Sequence, residues 1–151
     1  MKANRAQIDR FLANKTMAIV GASRNEKKFG TQLFIHLQKL GFELFPVHHE
    51  AAEIQGVPCV KSIGELPATV KSICLVTHKQ ATDAFIGEAL DHGINQIWVQ
   101  QFSETEMTKS IIKNTPQANI ITGWCLFMYT NPAGIHNFHR KLNKLFGSLA
   151  R

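Results

Sequence analysis

Cysteine is scarce in this 151-residue chain, and its spacing matches no familiar metal or redox motif. The three cysteines, at positions 59, 74 and 125, are odd in number and form no CxxC pair. This pattern argues against a disulfide scaffold and against a zinc site of the usual spacing. We therefore expect three reduced thiols, as in a cytoplasmic protein.

Long apolar runs and repeats are missing as well. No stretch approaches the roughly 18 consecutive apolar residues of a membrane helix. The N-terminal segment MKANRAQIDRFLANK is polar and lacks the apolar core of a secretory signal. No low-complexity segment or linker divides the chain. We predict a single domain over residues 1–151, located in the cytoplasm and not associated with a membrane.

Basic residues outnumber acidic ones by 17 to 11, which gives a formal net charge of +6. These basic residues are scattered, and no aromatic stacking motif accompanies them, as a nucleic-acid-binding surface would require. The same charge suits a small polyanion such as a nucleotide phosphate, and charge alone does not separate the two. We predict a small-molecule nucleotide ligand and no nucleic acid.

Apolar runs of strand length alternate with segments of helical spacing along the chain. The predicted strands cover residues 17–20, 42–47, 72–76, 95–99 and 119–122, with a small edge strand at 57–60. The predicted helices cover residues 4–13, 31–40, 79–92, 103–113 and 132–149. Such alternation implies right-handed crossovers between parallel strands. We predict an α/β fold: a three-layer sandwich around a mostly parallel five-stranded sheet.

Two helix starts carry recognisable signals. The residues from Ser103 to Glu106 match a capping box, which predicts the start of the fourth helix. Asn131 and Pro132 suit the start of the last helix, whose apolar stripe we expect to pack on the domain. The apolar segment Trp124–Tyr129 falls in a predicted connection. It is either buried under the last helix or forms a contact in a homodimer.

The loop after the first strand combines three features that favour a phosphate. Gly21 permits a tight turn with close backbone approach, and Ser23 offers a hydroxyl group. Positive charges follow at Arg24, Lys27 and Lys28. The second helix begins near Phe29–Thr31, so its amides and dipole face the same space. Because open parallel sheets bind ligands outside the carboxyl ends of their strands, we predict a phosphate site here.

The residues favour coenzyme A over NAD as the nucleotide. The loop contains no GxGxxG, and the second strand ends in His48 and His49 rather than in the carboxylate that binds the ribose of NAD. A ligand with a phosphate on its ribose would avoid a carboxylate there, and coenzyme A carries a 3′-phosphate. Glu50 lies slightly beyond and leaves an NAD(P)-dependent oxidoreductase open as an alternative.

Several segments, taken together, resemble a known family. They are residues 18–23, Phe29-Gly30, Phe45-Pro46-Val47, and residues 53–56 and 62–67. Their order and spacing resemble the bacterial CoA-binding-domain family, which is similar to the N-terminal domain of the succinyl-CoA synthetase alpha subunit. The resemblance covers roughly residues 8–125. It implies a Rossmann-like fold with coenzyme A as the cofactor.

The resemblance also implies which residues contact the nucleotide. The pyrophosphate would lie near Gly21, Ala22 and Ser23 and the helix start at Phe29 and Gly30. The adenosine would lie near Pro46, Val47 and His48. Further contacts would come from Thr77, His78, Lys79 and Gln80. To these the residues themselves add Arg24 and Lys28 as cations, and Gln100 at the end of the fourth strand, where it can reach the pocket.

Two departures limit what the resemblance implies. The family often has Val-Asn-Pro where this chain has Val47-His48-His49, so its nucleoside contacts do not carry over directly. The histidine that is phosphorylated in the synthetase belongs to a second domain that this chain is too short to contain. Ligase activity is therefore not carried over.

No residues form a recognisable catalytic or metal site. His136 and His139 are three apart on the last predicted helix, but no third ligand is visible, and His139 suits packing better. Cys125 falls at the ligand edge without an identifiable base, which favours a buried inert thiol over a reactive one. We predict a CoA- or acyl-CoA-binding module rather than an enzyme. A scaffold protein with a vestigial pocket is a further alternative.

Overall fold

The computed structural model describes residues 2–130. The strands, in chain order, are β1 (Thr16–Val20), β2 (Glu43–Val47), β3 (Glu53–Ile54), β4 (Val57–Pro58), β5 (Ser72–Leu75), β6 (Gln96–Val99) and β7 (Asn119–Ile121). The helices are α1 (Arg5–Leu12), α2 (Phe29–Lys39), α3 (Lys79–Asp91), α4 (Glu106–Asn114) and α5 (Leu126–Thr130), with a 3-10 turn at Ile63–Glu65. No helix in the described part is long and apolar enough to cross a bilayer.

Five strands form one sheet in the order β2-β1-β5-β6-β7, and every pair in it is parallel. Val20 at the end of β1 lies opposite Val47 on one side and Leu75 on the other. The short hairpin of β3 and β4 lies beside β2, where Val60 forms a parallel bridge to Val47. The predicted mostly parallel five-stranded sheet is therefore confirmed.

The strands are buried on both faces, which explains why they read as continuous apolar runs. Met17 and Ile19 belong to a core shared with α1 and α2, whereas Ala18 and Val20 belong to a second core shared with α3. Alternate side chains of one strand point to opposite faces, so this division follows from the pleat. The result is the predicted three-layer arrangement, with one core on each face of the sheet.

The fourth helix begins two residues later than the capping-box pattern predicts. Its N-cap is Thr105, whose hydroxyl accepts a hydrogen bond from the Thr108 amide at 3.1 Å. Both threonine hydroxyls also donate to the Asp83 carboxylate of α3, at 2.5 Å each. Ser103 instead donates its hydroxyl to the Thr77 carbonyl at 2.7 Å. A contact with a distant helix thus selects the N-cap.

The apolar segment Trp124–Tyr129 is not the plain connection that the sequence pattern predicts, because α5 begins within it. The Phe127 ring stacks on His36 of α2, with ring centres 4.3 Å apart. The Tyr129 ring lies 5.9 Å from that of the fully buried Trp98. The segment is thus packed against the core of the described domain. The predicted last helix over 132–149, with its two histidines, lies outside the described residues.

The contact between α2 and α5 predicts a pH-dependent stability. His36 is partly buried against Phe127, and desolvation lowers the pKa of its imidazole, while a hydrogen bond to Thr130 opposes this. The folded pKa of His36 lies below the unfolded value of 6.5, so the unfolded state binds a proton first, and the fold is destabilised as the pH falls from 6.5 toward the folded pKa. We expect the urea concentration at the unfolding midpoint to be lower at pH 5.5 than at pH 7.5, and we expect this difference to be smaller in His36→Phe.

The matched control for this prediction is the exposed histidine His49. His49→Asn should retain the wild-type change in midpoint, because the side chain of His49 is 80% exposed. Equal pH dependence in wild type and His36→Phe would show that protonation of His36 does not weaken the contact between α2 and α5.

Candidate functional site

The carboxyl ends of β1 and β5 meet where the chain reverses its direction across the sheet. From β1 the chain passes to β2 on one side, and it later returns to β5 on the other side. In open parallel sheets this reversal opens a crevice between two neighbouring loops, where ligands bind. The loops at this position are residues 21–28 after β1 and residues 76–78 after β5.

Two glycines allow α2 to start directly against the end of β1. A Cβ on Gly30 would lie 2.2 Å from the carbonyl oxygen of Gly21. A Cβ on Gly21, where φ is +110°, would lie 1.9 Å from the carbonyl oxygen of Val76. No side chain fits at either position without moving backbone. The strand end, the helix start and the β5 loop are therefore held together at the crevice.

Several backbone amides of the loop after β1 already donate hydrogen bonds to side chains within the protein. The Ser23 amide donates to the Thr31 hydroxyl at 2.9 Å, and this hydroxyl donates to the Ser23 carbonyl at 3.0 Å. The Asn25 amide donates to the Ser23 hydroxyl at 3.1 Å, and the Lys27 amide donates to the Asn25 side chain at 3.0 Å. A phosphate here would therefore rely on the first turn of α2 and on basic side chains rather than on these amides.

The first turn of α2 is well suited to an anion. Lys28 is the N-cap residue and forms no side-chain capping hydrogen bond. Helix N-termini attract anions through their amides and the positive end of the helix dipole. The predicted cations Arg24 and Lys28, with Lys27 between them, are exposed and form no salt bridge within residues 2–130. Their charge is thus not neutralised by a carboxylate of the described residues.

The end of β2 brings the predicted adenosine residues beside this loop. Pro46 and Val47 are buried and His48 is half-buried. The parallel register pairs Val20 with Val47, so the residues that follow them, the β1 loop from Gly21 onward and His48, leave the sheet at the same edge. The Glu50 carboxylate lies 3.3 Å from Nε2 of the neighbouring histidine, His49.

The loop after β5 leads directly into α3. Thr77 shares a 2.6 Å hydrogen bond with the Thr82 hydroxyl, and His78 is the N-cap of α3 without a side-chain cap. Lys79 and Gln80 are exposed in the first helical turn. All four predicted residues thus lie at the carboxyl edge, on the β5 side of the crevice.

Gln100 has a structural partner. Its side chain is buried, and its Oε1 accepts a hydrogen bond from the Leu126 amide at 3.2 Å, at the start of α5. Its own amide donates to the Leu75 carbonyl at 3.0 Å. Gln100 therefore connects the sheet edge to α5. The neighbouring Glu104 has a buried Oε2 with no hydrogen-bond partner among the described residues, a feature that no sequence motif revealed.

Thr31 is a site residue that sequence reasoning missed. It is fully buried, and its hydroxyl forms two hydrogen bonds with the Ser23 backbone. The only available signal was a hydroxyl residue in the first turn of the helix that follows the loop. Such a residue is common on helices, so the signal would not have distinguished Thr31 from an ordinary surface threonine.

The cysteines are free, and two of them are buried. Cys125 is 2% exposed, and burial raises the pKa of its thiol above the usual value. Burial likewise raises the pKa of Cys74. A thiol needs a lowered pKa and access to be a nucleophile, so these two positions fit inert packing. No cluster of three or more potential metal ligands occurs within residues 2–130.

A surface depression of about 540 Å³ lies away from the crevice, along the outer edge of β2. Its lining is mostly apolar, with Phe42, Leu44 and Val57 among the residues, and it includes the carboxylates Glu43 and Glu65. Two carboxylates disfavour a polyphosphate, and no helix N-terminus is among the lining residues. The crevice therefore suits the predicted nucleotide better than this depression does.

An open parallel sheet with a glycine-lined, basic crevice at its point of reversal is typical of domains that bind nucleotides. Residues 15–131 match the model of the CoA binding domain family. Because the match covers most of the chain, the protein belongs to this family.

Two relatives are archaeal acetate–CoA ligases. The alpha subunit of ADP-forming acetate–CoA ligase II from Pyrococcus furiosus is 29% identical over 148 residues, covering 95% of this chain and 32% of that subunit. The ADP-forming acetate–CoA ligase of Methanocaldococcus jannaschii is 27% identical over 141 residues, covering 89% of this chain and 19% of that enzyme. The chain thus spans a third or less of these relatives.

A solved structure has the same fold over nearly its whole length. A conserved hypothetical protein from Pyrococcus furiosus superposes with a TM-score of 0.72 at 30% identity, covering 76% of this chain and 97% of that one. The predicted Rossmann-like α/β class is thereby confirmed. The relatives named here are archaeal rather than bacterial, and the link to succinyl-CoA synthetase stays a prediction.

Proposed function

We propose that this chain binds coenzyme A, or an acyl-CoA, at the crevice between the β1 and β5 loops. The observation that carries the proposal is the mutual packing of Gly21 and Gly30. It brings the start of α2, whose N-cap Lys28 forms no side-chain capping hydrogen bond, against the end of β1, at the position where such sheets bind nucleotides. Membership of the CoA binding domain family supports coenzyme A as the nucleotide.

The charges around the crevice support a polyanionic ligand. Arg24, Lys27 and Lys28 form no salt bridge within the described residues, and the start of α2 adds the positive end of its dipole. Coenzyme A carries a pyrophosphate and a 3′-phosphate, so it can interact with both the basic side chains and the start of α2. The proposal includes no reaction, and the chain is proposed as a binding module that acts in the cytoplasm.

An NAD(P)-dependent oxidoreductase is the less favoured alternative. An enzyme of that class that uses NAD places a carboxylate at the end of the second strand, where it binds the ribose hydroxyls. Here that position is His48, and the carboxylate of Glu50 lies beside His49.

Native mass spectrometry of freshly purified protein and calorimetric titration test the proposal. We expect a co-purified CoA or acyl-CoA mass, and binding of CoA at least about tenfold tighter than binding of NAD. Tighter binding of NAD would favour the oxidoreductase. Binding of neither nucleotide would favour the scaffold alternative, in which the crevice is vestigial.

A further inference from the structure

The His48 side chain is locked by its own turn in one tautomer. Its Nδ1 accepts hydrogen bonds from two backbone amides, that of Glu50 at 3.1 Å and that of Ala51 at 2.9 Å. A neutral imidazole carries one proton, so an Nδ1 that accepts two hydrogen bonds leaves the proton on Nε2. The ring therefore presents an N–H donor at the end of β2.

Backbone hydrogen bonds hold His48 in place. Its amide donates to the Val60 carbonyl at 2.9 Å, which ties the end of β2 to the segment after β4. The His49 ring is stacked parallel to it, with centres 5.3 Å apart and an interplanar angle of 1°. His48 Nε2 itself has no hydrogen-bond partner among residues 2–130, and the ring is only half-buried. A fixed donor is thus available at this strand end.

The end of β2 consequently offers a hydrogen-bond donor, the Nε2–H of His48, where a site for the two ribose hydroxyls of NAD needs an acceptor. A carboxylate here accepts hydrogen bonds from ribose hydroxyls, whereas an imidazole N–H donates to a phosphate oxygen. The carboxylate of Glu50, two residues further on, lies 3.3 Å from His49 Nε2. His48 directly follows Val47, which pairs with Val20 at the end of β1, so a nucleotide bound at the β1 loop would bring its ribose toward this strand end.

We infer that His48 is a specificity-determining residue that selects a ribose carrying a phosphomonoester over an unphosphorylated ribose. This inference rests on the proposed function, because it assumes that the nucleotide occupies the crevice beside Gly21. The shared chemistry is the ribose phosphate. Its source is the 3′-phosphate of coenzyme A or, in the oxidoreductase alternative, the 2′-phosphate of NADP.

The test compares affinities for CoA, dephospho-CoA, NADP and NAD in wild type, His48→Asn and His49→Asn. The Oδ1 of asparagine can accept hydrogen bonds from the amides of residues 50 and 51, which preserves the turn. Asparagine lacks the Nε2–H donor of histidine. We expect wild type to prefer CoA over dephospho-CoA by about tenfold, and His48→Asn to lose most of this preference. His49→Asn should keep the preference.

The outcomes separate this inference from the proposed function. Equal binding of CoA and dephospho-CoA by wild type, or an unchanged preference in His48→Asn, would overturn the inference and leave CoA binding intact. If wild type binds neither CoA nor dephospho-CoA, both the inference about His48 and the proposed function are overturned. If the preference for NADP over NAD exceeds the preference for CoA over dephospho-CoA, the role of His48 is supported, and coenzyme A is rejected as the source of the ribose phosphate.

A second readout needs no ligand. The nitrogen chemical shifts of the His48 imidazole in the free protein should be those of a neutral ring protonated on Nε2. A ring protonated on Nδ1 would remove the fixed donor and overturn the inference. Because His48→Asn retains an acceptor for the turn, its free energy of unfolding should stay close to that of wild type, which distinguishes lost recognition from lost folding.

Discussion

Replacing Gly30 with alanine should lower the free energy of unfolding by about 3 kcal/mol. The new Cβ would lie 2.2 Å from the carbonyl oxygen of Gly21, and the nearest atoms are backbone rather than a movable side chain. The start of α2 would have to move away from β1. Because the proposed phosphate site depends on this contact, CoA affinity should fall together with stability. Urea unfolding at fixed pH and titration of the folded fraction measure the two effects.

The matched control is Gly87→Ala in α3. A Cβ on Gly87 meets no atom within 4 Å, so alanine should stabilise this helix by roughly 1 kcal/mol. The two substitutions have the same chemistry and opposite expected signs. A loss below about 1 kcal/mol in Gly30→Ala would mean that α2 can shift away from β1 at little cost.

A similar backbone clash makes substitutions of Gly21 a poor test of ligand binding. A bulky residue at this position would fill the space of a phosphate, but it would first collide with the Val76 carbonyl, 1.9 Å from the new Cβ. At a φ of +110° a valine would also be strained. Lost binding in Gly21→Val would therefore report a damaged fold as well as a blocked site, so surface charges give the cleaner test.

Neutralising Arg24 and Lys28 together should weaken CoA binding by roughly 100-fold, about tenfold for each charge-assisted contact. Both side chains are exposed and form no salt bridge within residues 2–130, so Arg24→Gln/Lys28→Gln should leave stability nearly unchanged. The remaining affinity should also depend less on salt, because the loss is electrostatic. Calorimetric titration at two salt concentrations measures both effects.

The control variant removes the same charge elsewhere. Lys39 lies in the last turn of α2 and Lys113 in the last turn of α4, and both are exposed. Lys39→Gln/Lys113→Gln has the same net charge as the test variant but leaves the start of α2 intact. If both double variants lose CoA affinity equally, the effect comes from the overall charge of the protein, and the assignment of the ligand to the β1 loop is wrong.

The sheet could be predicted from the sequence because its strands are buried on both faces. The run from Met17 to Val20 is apolar throughout, and the structure places a strand at Thr16–Val20. Pairing of this strand with Val47 and Leu75 on its two sides could not be read from the pattern. The alternation of strands and helices nevertheless restricts the topology to parallel crossovers, which is why the fold class was predicted correctly.

Contacts between distant elements explain the errors in the local predictions. The fourth helix starts after Thr105 because Asp83, on another helix, binds the hydroxyls of Thr105 and Thr108. The helix α5 could not be separated from a buried loop because its 5 residues are too few to show a helical period. In both places a tertiary contact selects between two locally reasonable conformations.

For the site, sequence reasoning identified the loop but not its internal bonding. Gly21 and Gly30 stood out as glycines, yet their contact across the loop is visible only in three dimensions. Ser23 was predicted to offer its hydroxyl to a phosphate, and in the structure this hydroxyl accepts the Asn25 amide. His48 was predicted near the adenosine, but the hydrogen bonds that fix its tautomer depend on the turn that follows it.

The outer side of β2 restricts how two molecules of this protein can associate. Pro46 has no amide hydrogen, its carbonyl accepts the Val60 amide, and the His48 amide donates to the Val60 carbonyl. Among the described residues, the outward-facing backbone of β2 is thus already paired at Pro46 and at the following His48, which leaves only the stretch around Leu44 for an incoming strand. Continuous β-sheet pairing between protomers is thus blocked along β2, and a homodimer that uses this side must be held by side chains. The same block protects this edge from aggregation by strand addition.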